Sequence, residues 1–406
     1  MWAVNFSTMA TGNLNFGLFV LPMSNALNMS RSQFGWTQTT RRVSASLSSF
    51  VVGRLIDRYG PRIFIPVSAL AIGLCLFLVS RATSPWHIIV LFGVVGVSGL
   101  ATPNGIVTSV PVAKWFLRKR GKALAIATTG LGIGGIVFLP FTQFLISNLG
   151  WRGAWSALAL IFFFIAAPIS LIFLRRQPED MGLVVDGDKV SPDHSDTGKE
   201  NPLVEIQWTV KEALHTGALW KLMFVFAVTG MAQGGASVHR IPYWIERGFD
   251  AHIVSYAFSA DAAGAATMAL ISGWLADRFP IRYIAGISFV GFTVAIFLMI
   301  CGFDEVFLFA STITFGLSVG AGMVVHSYIF ASYFGREFLG AIRGIVMPVN
   351  LISAGLGAPI VGYMHDGMGT YTSAWWLLIS LYAIGALVVV TVTPPKHPVL
   401  GNSPVL

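Results

Sequence analysis

The sequence predicts an all-α membrane protein whose twelve transmembrane helices form two six-helix bundles related by pseudo-symmetry. Three observations support this fold. Of 406 residues, 55% are hydrophobic and only 11% are charged, the mean hydropathy is +0.72, and one loop motif occurs in each half of the chain. Since a soluble domain carries about a quarter charged residues, a water-soluble globule of this size is excluded.

Twelve apolar stretches, joined mostly by short loops, account for most of the chain. Stretches of about 20 apolar residues are long enough to cross a bilayer. We predict spans 1 to 12, in order, at residues 2–27, 33–56, 63–81, 86–109, 123–149, 153–174, 216–244, 252–276, 283–303, 306–333, 344–365 and 374–393. Span 1 begins almost at Met1, so no cleavable leader is expected before it.

The basic residues follow the positive-inside rule. With the N-terminus in the cytoplasm, 19 of the 26 Lys and Arg residues flank the cytoplasmic ends of the spans, 4 lie in outer loops and 3 lie within spans. The net charge of +8 therefore reflects topology and does not indicate nucleic acid binding. Both termini are predicted to be cytoplasmic, in a cell (inner) membrane. Cys75 and Cys301 lie in separate apolar spans and indicate neither a disulfide nor a metal site.

A polar segment separates the two halves. Residues 175–215 hold nine of the 18 acidic residues, with Pro and Gly between them, which is typical of a flexible linker. The predicted organisation is an N-terminal six-helix bundle (1–174), a cytoplasmic acidic linker (175–215), a C-terminal six-helix bundle (216–393) and a cytoplasmic tail (394–406).

The two halves repeat the same landmarks. Gly53-Arg-Leu-Ile-Asp57-Arg58-Tyr-Gly60-Pro-Arg62 follows span 2, and Gly273-Trp-Leu-Ala-Asp277-Arg278-Phe-Pro280-Ile-Arg282 follows span 8, at an offset of 220 residues. Trp115-Phe116 before span 5 and Tyr333-Phe334 before span 11 repeat at an offset of 218. Such internal repeats are typical of transporters that bind their substrate between the halves, near the bilayer midplane.

The loop motif resembles the signature of the major facilitator superfamily, and the resemblance extends over essentially the whole chain. Finer landmarks resemble its branch of monocarboxylate transporters and oxalate–formate exchangers. These are Lys114-Trp115-Phe116 running to Arg120-Gly121-Lys122-Ala123, Gly150-Trp151-Arg152, Pro178-Glu179-Asp180, Tyr333-Phe334-Gly335-Arg336 and Gly357-x-Pro359-x-x-Gly362-x-x-x-Asp366. The resemblance implies a secondary transporter that works by alternating access.

The resemblance also implies a cytoplasmic gate at the loop motif. In the superfamily this cluster holds the cytoplasmic ends of the halves together and opens as they rock. Here the role falls on Gly53, Asp57, Arg58 and Arg62, with a weaker copy at Asp277 and Arg278. A purely topological role for these charges is the alternative.

Arg41 and Arg42 are the main candidates for substrate binding. Arg42 precedes Gly53 by 11 residues, about 16 Å of helix, so both arginines are expected near mid-depth. A charge there costs at least ~2.5–3.5 kcal/mol on insertion scales. Consecutive residues point about 100° apart, so only one can face a central cavity and the other must contact a neighbouring helix. The alternative is a purely structural pair.

Asp261 and His326 are the candidate proton-coupling residues, and His326 is also a candidate substrate ligand. At the offset of 220, Asp261 corresponds to Arg41, so the two are expected at one depth in spans 8 and 2. Desolvation among alanines favours the neutral carboxyl, which suits a group that loads and releases a proton. His326 lies near mid-depth in span 10. Structural roles for both are the alternative.

Asn13, Asn15 and Asn104 are candidate uncharged substrate contacts. Arg240, near the outer end of span 7, is predicted to extend to the membrane interface, with guidance of anions inward as the alternative. Gly130-Leu-Gly132-Ile-Gly134-Gly135 matches a dinucleotide-binding pattern, but it lies in an apolar span with no strand before it. It is therefore predicted to be a helix-packing face. The sequence offers no metal-binding or ATP-binding motif, so neither a metal nor another cofactor is predicted.

Members of the implied branch often carry an arginine four residues before the span-8 glycine, and some carry an aspartate one turn earlier. Those positions are Ala269 and Ala265 here. We interpret Asp261 as the acidic group moved one turn outward and the anion-binding arginine as moved to span 2.

The predicted function is therefore transport of a small organic anion, a mono- or dicarboxylate, by proton symport or anion exchange. The predicted partners are that anion, protons and membrane lipid, and the protein is expected to be monomeric. An efflux pump for amphipathic compounds and a non-transporting membrane sensor are the alternatives.

Overall fold

The computed structural model describes residues 1–98, 115, 120–174, 208–276, 278–335 and 339–395, which form helices and contain no strand. Their bounds follow the predicted spans closely. Span 1 consists of the helix Trp2–Thr8, a 3₁₀ turn at Met9–Thr11 and the helix Asn13–Leu27, and spans 2 to 4 are Arg31–Tyr59, Pro61–Ser80 and Pro85–Val97. Spans 5 and 6 lie in the helix Arg120–Ile161, a π turn at Phe162–Ala166 and the helix Ala167–Phe173, and the short helix Val210–Leu214 follows. Spans 7 to 12 are Gly217–Glu246, Ala251–Ala276, Ile281–Cys301, Glu305–Phe334, Leu339–Met368 and Thr372–Val390.

Eight helices of the described residues are long and apolar enough to cross a membrane, and they cover span 3 and spans 5 to 12. Spans 1, 2 and 4 do not meet these criteria of length and apolar composition, each for a different reason. Span 1 is broken, span 2 carries many polar residues, and only 13 residues of the helix in span 4 are described.

Glycines with positive φ make the tight connections between consecutive spans. Gly60 has φ 76° and Pro61 occupies the first turn of the next helix, so the loop motif turns the chain sharply between spans 2 and 3. Gly150 has φ 68° and ψ 172° where spans 5 and 6 meet. In the second copy of the loop motif, Pro280 stands where the first has Gly60 and caps the next helix with φ −56°.

Two hydrophobic cores correspond to the two halves. One is built from residues between Val4 and Ala167, with Val238 and Ala358 as additions from the other half. The other is built from residues between Trp208 and Val392, with Leu18 and Leu139 as additions. Each half therefore buries its own apolar faces, and a few apolar residues of the other half join each core.

The crossing of spans 2 and 11 is made by small residues. A side chain at Gly35 would clash with the backbone of Pro359, and one at Gly362 would clash with the backbone of Ser32. Small residues of this kind allow helix backbones to approach closely in membranes. Spans 5 and 8 cross in a similar way, since a side chain at Gly135 would lie 2.7 Å from the Cβ of Ala262.

A hydrogen bond to a proline-freed carbonyl joins the halves at both crossings. Proline has no N–H, so the carbonyl four residues earlier has no partner within its own helix. Pro359 frees the Gly355 carbonyl, which accepts from the Thr39 hydroxyl.

The second crossing repeats this arrangement. Pro140 frees the Ile136 carbonyl, which accepts from the Ser259 hydroxyl at 3.2 Å. Thr39 and Ser259 are 220 residues apart, and Pro140 and Pro359 are 219 apart. The repeat thus places the same device on both sides of the interface.

Span 1, predicted as one helix, is broken in its middle. Gly12 is extended, with φ −61° and ψ 158°. The hydroxyls of Thr8 and Thr11 bond to carbonyls three residues earlier, and such local bonds compete with helix formation. The break leaves polar backbone groups inside the protein, and side chains from the same half satisfy part of them.

Removal of the Thr39 hydroxyl should lower stability because it leaves the Gly355 carbonyl without a partner. We expect Thr39→Val to cost about 1 kcal/mol, measured by thermal unfolding of the purified protein in detergent. In a Pro359→Ala background the alanine N–H can bond that carbonyl, so the cost of Thr39→Val should largely disappear. Thr229→Val is the matched control, because that buried hydroxyl bonds the Val225 carbonyl of its own helix. Equal costs for Thr39→Val in both backgrounds would contradict this account.

Candidate functional site

Arg41 is buried and supports the break in span 1. The residue is only 5% exposed, and its Nη1 donates to the Thr11 carbonyl at 2.5 Å. That carbonyl ends the 3₁₀ turn just before extended Gly12. Of the two neighbouring arginines, Arg41 is therefore the one that contacts a helix of its own half.

Arg42 is partly exposed and points to the other half. Nη1 donates to the Ala354 carbonyl of span 11 at 2.6 Å, and Nη2 lies 3.5 Å from the Ser237 hydroxyl of span 7. Gly234 gives it room, since a Cβ there would lie 3.0 Å from Nη1 and would clash with the Ala354 carbonyl. The guanidinium thus lies where spans 2, 7 and 11 meet. The sequence did not predict that Gly234 leaves room for it.

Asp261 forms a buried ion pair with Arg240. The Arg240 Nη2 lies 2.7 Å from the Asp261 Oδ2, and both residues are 3% exposed. The Arg240 guanidinium also lies over the rings of Phe315 at 3.5 Å and Phe258 at 4.7 Å. Aromatic faces attract a cation, so this arginine is held on several sides.

The prediction that Arg240 extends to the membrane interface is therefore wrong. Its side chain turns inward because span 8 supplies a carboxylate and spans 8 and 10 supply aromatic faces. A sequence signal existed: Arg240 and Asp261 are charges in consecutive spans of one helical hairpin, at similar distances from its turn. Two opposite charges in such a hairpin are expected to pair, because neither finds another counterion in lipid.

His326 is partly buried among aromatic rings. Its ring lies 4.8 Å from that of Phe226 in span 7 and 6.4 Å from that of Phe330. Asp261, in contrast, pairs with Arg240. The candidate proton-coupling residues thus occupy two separate environments within the C-terminal half.

Of the three asparagines predicted to contact the substrate, the structure describes the side chain of Asn15. Asn15 is buried and its Nδ2 donates to the Ala10 carbonyl at 2.6 Å, across the break in span 1. The side chain of Asn13 and the whole of Asn104 lie outside the described residues.

The predicted gate is described only in part. Asp277 and the side chains of Asp57 and Arg58 lie outside the described residues, and of Gly53 only the helical backbone is described. Arg62 Nε donates to the Leu171 carbonyl of span 6 at 3.4 Å, and Arg278 lies over the Trp274 ring at 3.9 Å. Both described members thus contact their own half.

A second charged cluster, at the predicted outer face, was missed by sequence analysis. We call Arg31, Glu246, His365 and Asp366 the outer cluster. Arg31 Nη2 lies 2.6 Å from Glu246 Oε1, and Asp366 accepts the backbone N–H groups of Arg31 and Ser32, each at 3.0 Å. His365 lies 3.7 Å from both carboxylates.

Asp366 therefore caps the first turn of span 2 from span 11, where a negative charge also meets the positive end of the helix dipole. The signal in the sequence was the motif Gly357-x-Pro359-x-x-Gly362-x-x-x-Asp366. Pro359, Gly362 and Asp366 share one helical face and contact span 2, whereas Gly357 packs against the backbone of Met231 in span 7.

Comparison with known proteins gives a consistent picture. The sequence model described as Major Facilitator Superfamily matches residues 1–247 and 240–405. Monocarboxylate transporter 13 of Bos taurus is 24% identical over 386 residues, which cover 93% of this chain and 84% of that protein. Monocarboxylate transporter 11 of Homo sapiens is 25% identical over 407 residues, which cover 95% and 82%.

Among solved structures, that of a D-xylose–proton symporter superposes with a TM-score of 0.73 at 12% identity, over 97% of this chain and 96% of that chain. This likeness is one of fold. It confirms the predicted fold class.

The Arg240–Asp261 pair should behave as a coupled unit in stability. Breaking a buried pair from one side leaves an uncompensated charge and costs about 3–5 kcal/mol. We expect Arg240→Met and Asp261→Leu each to lower the melting temperature strongly, and the double variant to recover most of the loss. Thermal unfolding of the four proteins in detergent measures this coupling. Additive losses would show that the two side chains contribute independently.

Proposed function

This chain belongs to the Major Facilitator Superfamily, and from that premise we propose that it moves a small organic anion, a mono- or dicarboxylate, by alternating access. The family and the transporters it resembles make it a membrane transporter and not an enzyme. The proposed orientation has both termini in the cytoplasm of a cell (inner) membrane, on the basis of the basic residues that flank its spans.

The observation that carries the proposal is the position of Arg42. An arginine has five N–H donors in a planar fork that matches a carboxylate. Arg42 uses one nitrogen for the Ala354 carbonyl and has a long contact to Ser237. Its remaining donors can meet a carboxylate at the meeting point of spans 2, 7 and 11. In this proposal Arg42 binds the anion, and Arg41 positions span 1 beside it.

Coupling to protons would act through span 7. Ser237 touches Arg42, and Arg240 follows three residues later, about one helical turn along the same face. Protonation of Asp261 would remove the charge that holds Arg240, so it would release span 7 next to the anion. His326, against Phe226 of span 7, is the second candidate for this path.

Anion exchange uses the same site without the proton step. With an anion bound, Arg42 is neutralised and the halves can rock back without protonation of Asp261. The outer cluster would hold one face closed, and the loop motif with Asp57 and Arg58 would hold the other in the opposite state.

Substitution of Arg42 should abolish binding without unfolding the protein. We expect carboxylates to raise the melting temperature of the wild type by mass action, and Arg42→Ala to lose both this shift and uptake into proteoliposomes. Arg81→Ala, at the end of span 3 beside Phe77, is the control for removal of an arginine. The panel includes neutral sugars, amino acids and lipophilic cations, at acidic and neutral pH. Stabilisation by lipophilic cations and not by carboxylates would favour an efflux pump instead.

Asp261→Asn tests the coupling step. Asparagine keeps the shape and an acceptor oxygen for Arg240 but cannot change charge. We expect it to spare counterflow of the anion and to remove the dependence of uptake on a pH gradient. Assays normalised to folded protein separate this effect from the loss of stability. Unchanged pH-driven accumulation would exclude Asp261 as the coupling group.

A further inference from the structure

The outer cluster contains a histidine, His365, to which the function proposed above gives no role. The halves contribute unequally to this cluster. Arg31, at the start of span 2, is its member from the N-terminal half, whereas Glu246 ends span 7 and His365 and Asp366 lie near the end of span 11. The attraction across this face is therefore between one cation of the N-terminal half and two carboxylates of the C-terminal half.

The contacts between the halves in this cluster are short hydrogen bonds. Arg31 Nη2 donates to Glu246 Oε1 at 2.6 Å, and the Arg31 backbone N–H donates to Asp366 Oδ1 at 3.0 Å. Asp366 Oδ2 accepts the backbone N–H of Ser32, so this carboxylate also faces the positive end of the span 2 dipole. All of these bonds must break when the halves separate at the outer face.

His365 lies between the two carboxylates without bonding either of them. Its Nε2 is 3.7 Å from Glu246 Oε2, and its Nδ1 is 3.7 Å from Asp366 Oδ1. Both distances are beyond hydrogen-bond length, and the buried Nδ1 has no hydrogen-bond partner among the described residues. The side chain is 19% exposed, so protons from the outer solution can reach it. The ring thus occupies a position that favours a cation.

The neighbouring ionisable groups are less suited to sense the outer pH. The Tyr371 ring lies 4.2 Å from the His365 ring, but tyrosine titrates near pH 10. The Tyr371 hydroxyl is 3.3 Å from Nδ1 of His239, which is fully buried and whose Nε2 bonds the Ala358 carbonyl at 2.9 Å. The charged and titratable groups that the structure places against His365, directly or through Tyr371, are thus Arg31, His239, Glu246, Asp366 and Tyr371 itself.

We propose that His365 senses the pH of the outer solution and that its protonation favours opening of the outer face. While His365 is neutral, the C-terminal side of the cluster carries two negative charges, which attract Arg31 and the adjacent helix end. Protonation of His365 leaves one net negative charge and supplies a cation that competes with Arg31 for Glu246. The attraction between the halves then weakens. Acid outside therefore favours the open face, and neutral pH favours the closed one.

This switch differs from the proton coupling proposed for Asp261. The proton on His365 stays at the outer side and changes how often that face opens, whereas a coupled proton crosses the membrane with the anion. The inference rests on the proposed alternating access and orientation of the spans, and it adds regulation of that cycle by the outer pH.

The distance between spin labels at the outer ends of the two halves tests the proposal without a substrate. The exposed side chains of Leu149, at the end of span 5, and Phe303, between spans 9 and 10, provide the sites. Leu149→Cys and Phe303→Cys are made in a background with Cys75→Ser and Cys301→Ser. Pulsed electron paramagnetic resonance in lipid nanodiscs then measures the share of molecules whose outer ends are separated. From neutral to acidic pH, over which histidine titrates, we expect this share to rise about two- to fivefold.

Substitutions in this labelled protein assign the response to His365. His365→Gln should abolish the pH dependence and keep the outer face mostly closed, because glutamine cannot gain a charge. His87→Gln is the matched control and should retain the full response, since His87 is exposed at the start of span 4 and lies outside the outer cluster. Glu246→Gln removes one carboxylate and should raise the open share already at neutral pH. Asp261→Asn should leave the pH response of the outer face intact.

Two results would overturn the proposal. A full pH response in His365→Gln would mean that another group senses the pH. A distance in the wild type that does not change with pH would mean that protonation of His365 does not open the face. In both cases carboxylate binding that depends on Arg42 would leave the proposed function intact. Failure of carboxylates to bind the wild type would contradict the proposed cargo and leave the distance measurement unaffected.

Discussion

The bilayer interior cannot solvate backbone polar groups, so every such group inside this protein needs a partner from the protein. Prolines and a broken helix create groups that lack one. The structure satisfies three of them with side chains from other helices: Thr39 bonds the Gly355 carbonyl, Ser259 bonds the Ile136 carbonyl and Arg41 bonds the Thr11 carbonyl. Two of these bonds cross between the halves. The irregular backbone is therefore also what locates the interface and the candidate site.

The charges inside the membrane follow from the same constraint. Four charged residues within the spans each have an assigned contact: Arg41 with span 1, Arg42 with span 11, and Arg240 with Asp261. Arg42 differs in being partly exposed and in reaching across the interface. It therefore combines a fixed position with donors that a ligand can use. Span 7 connects it to the buried ion pair, since Ser237 and Arg240 lie one turn apart.

The sequence predicted the helices and the repeat well, because these depend on apolar length and on spacing along the chain. It did not predict the break in span 1, since a Thr-Gly-Asn stretch within an apolar segment is also compatible with a continuous helix. The prediction for the Arg240 side chain was wrong because it used only the distance of this residue from the outer end of span 7. It did not consider Asp261, which lies in the next span of the same hairpin.

The paired hydroxyl–carbonyl bonds also bear on how such a protein arises. Both crossings use equivalent positions in the repeat, a hydroxyl in spans 2 and 8 and a proline in spans 5 and 11. In a six-helix ancestor that associated with its own copy, one hydroxyl and one proline would have made both bonds at once. Duplication and fusion would then have released the two sides from that identity. One side now carries threonine and the other serine, and only the side with threonine has an arginine three residues later.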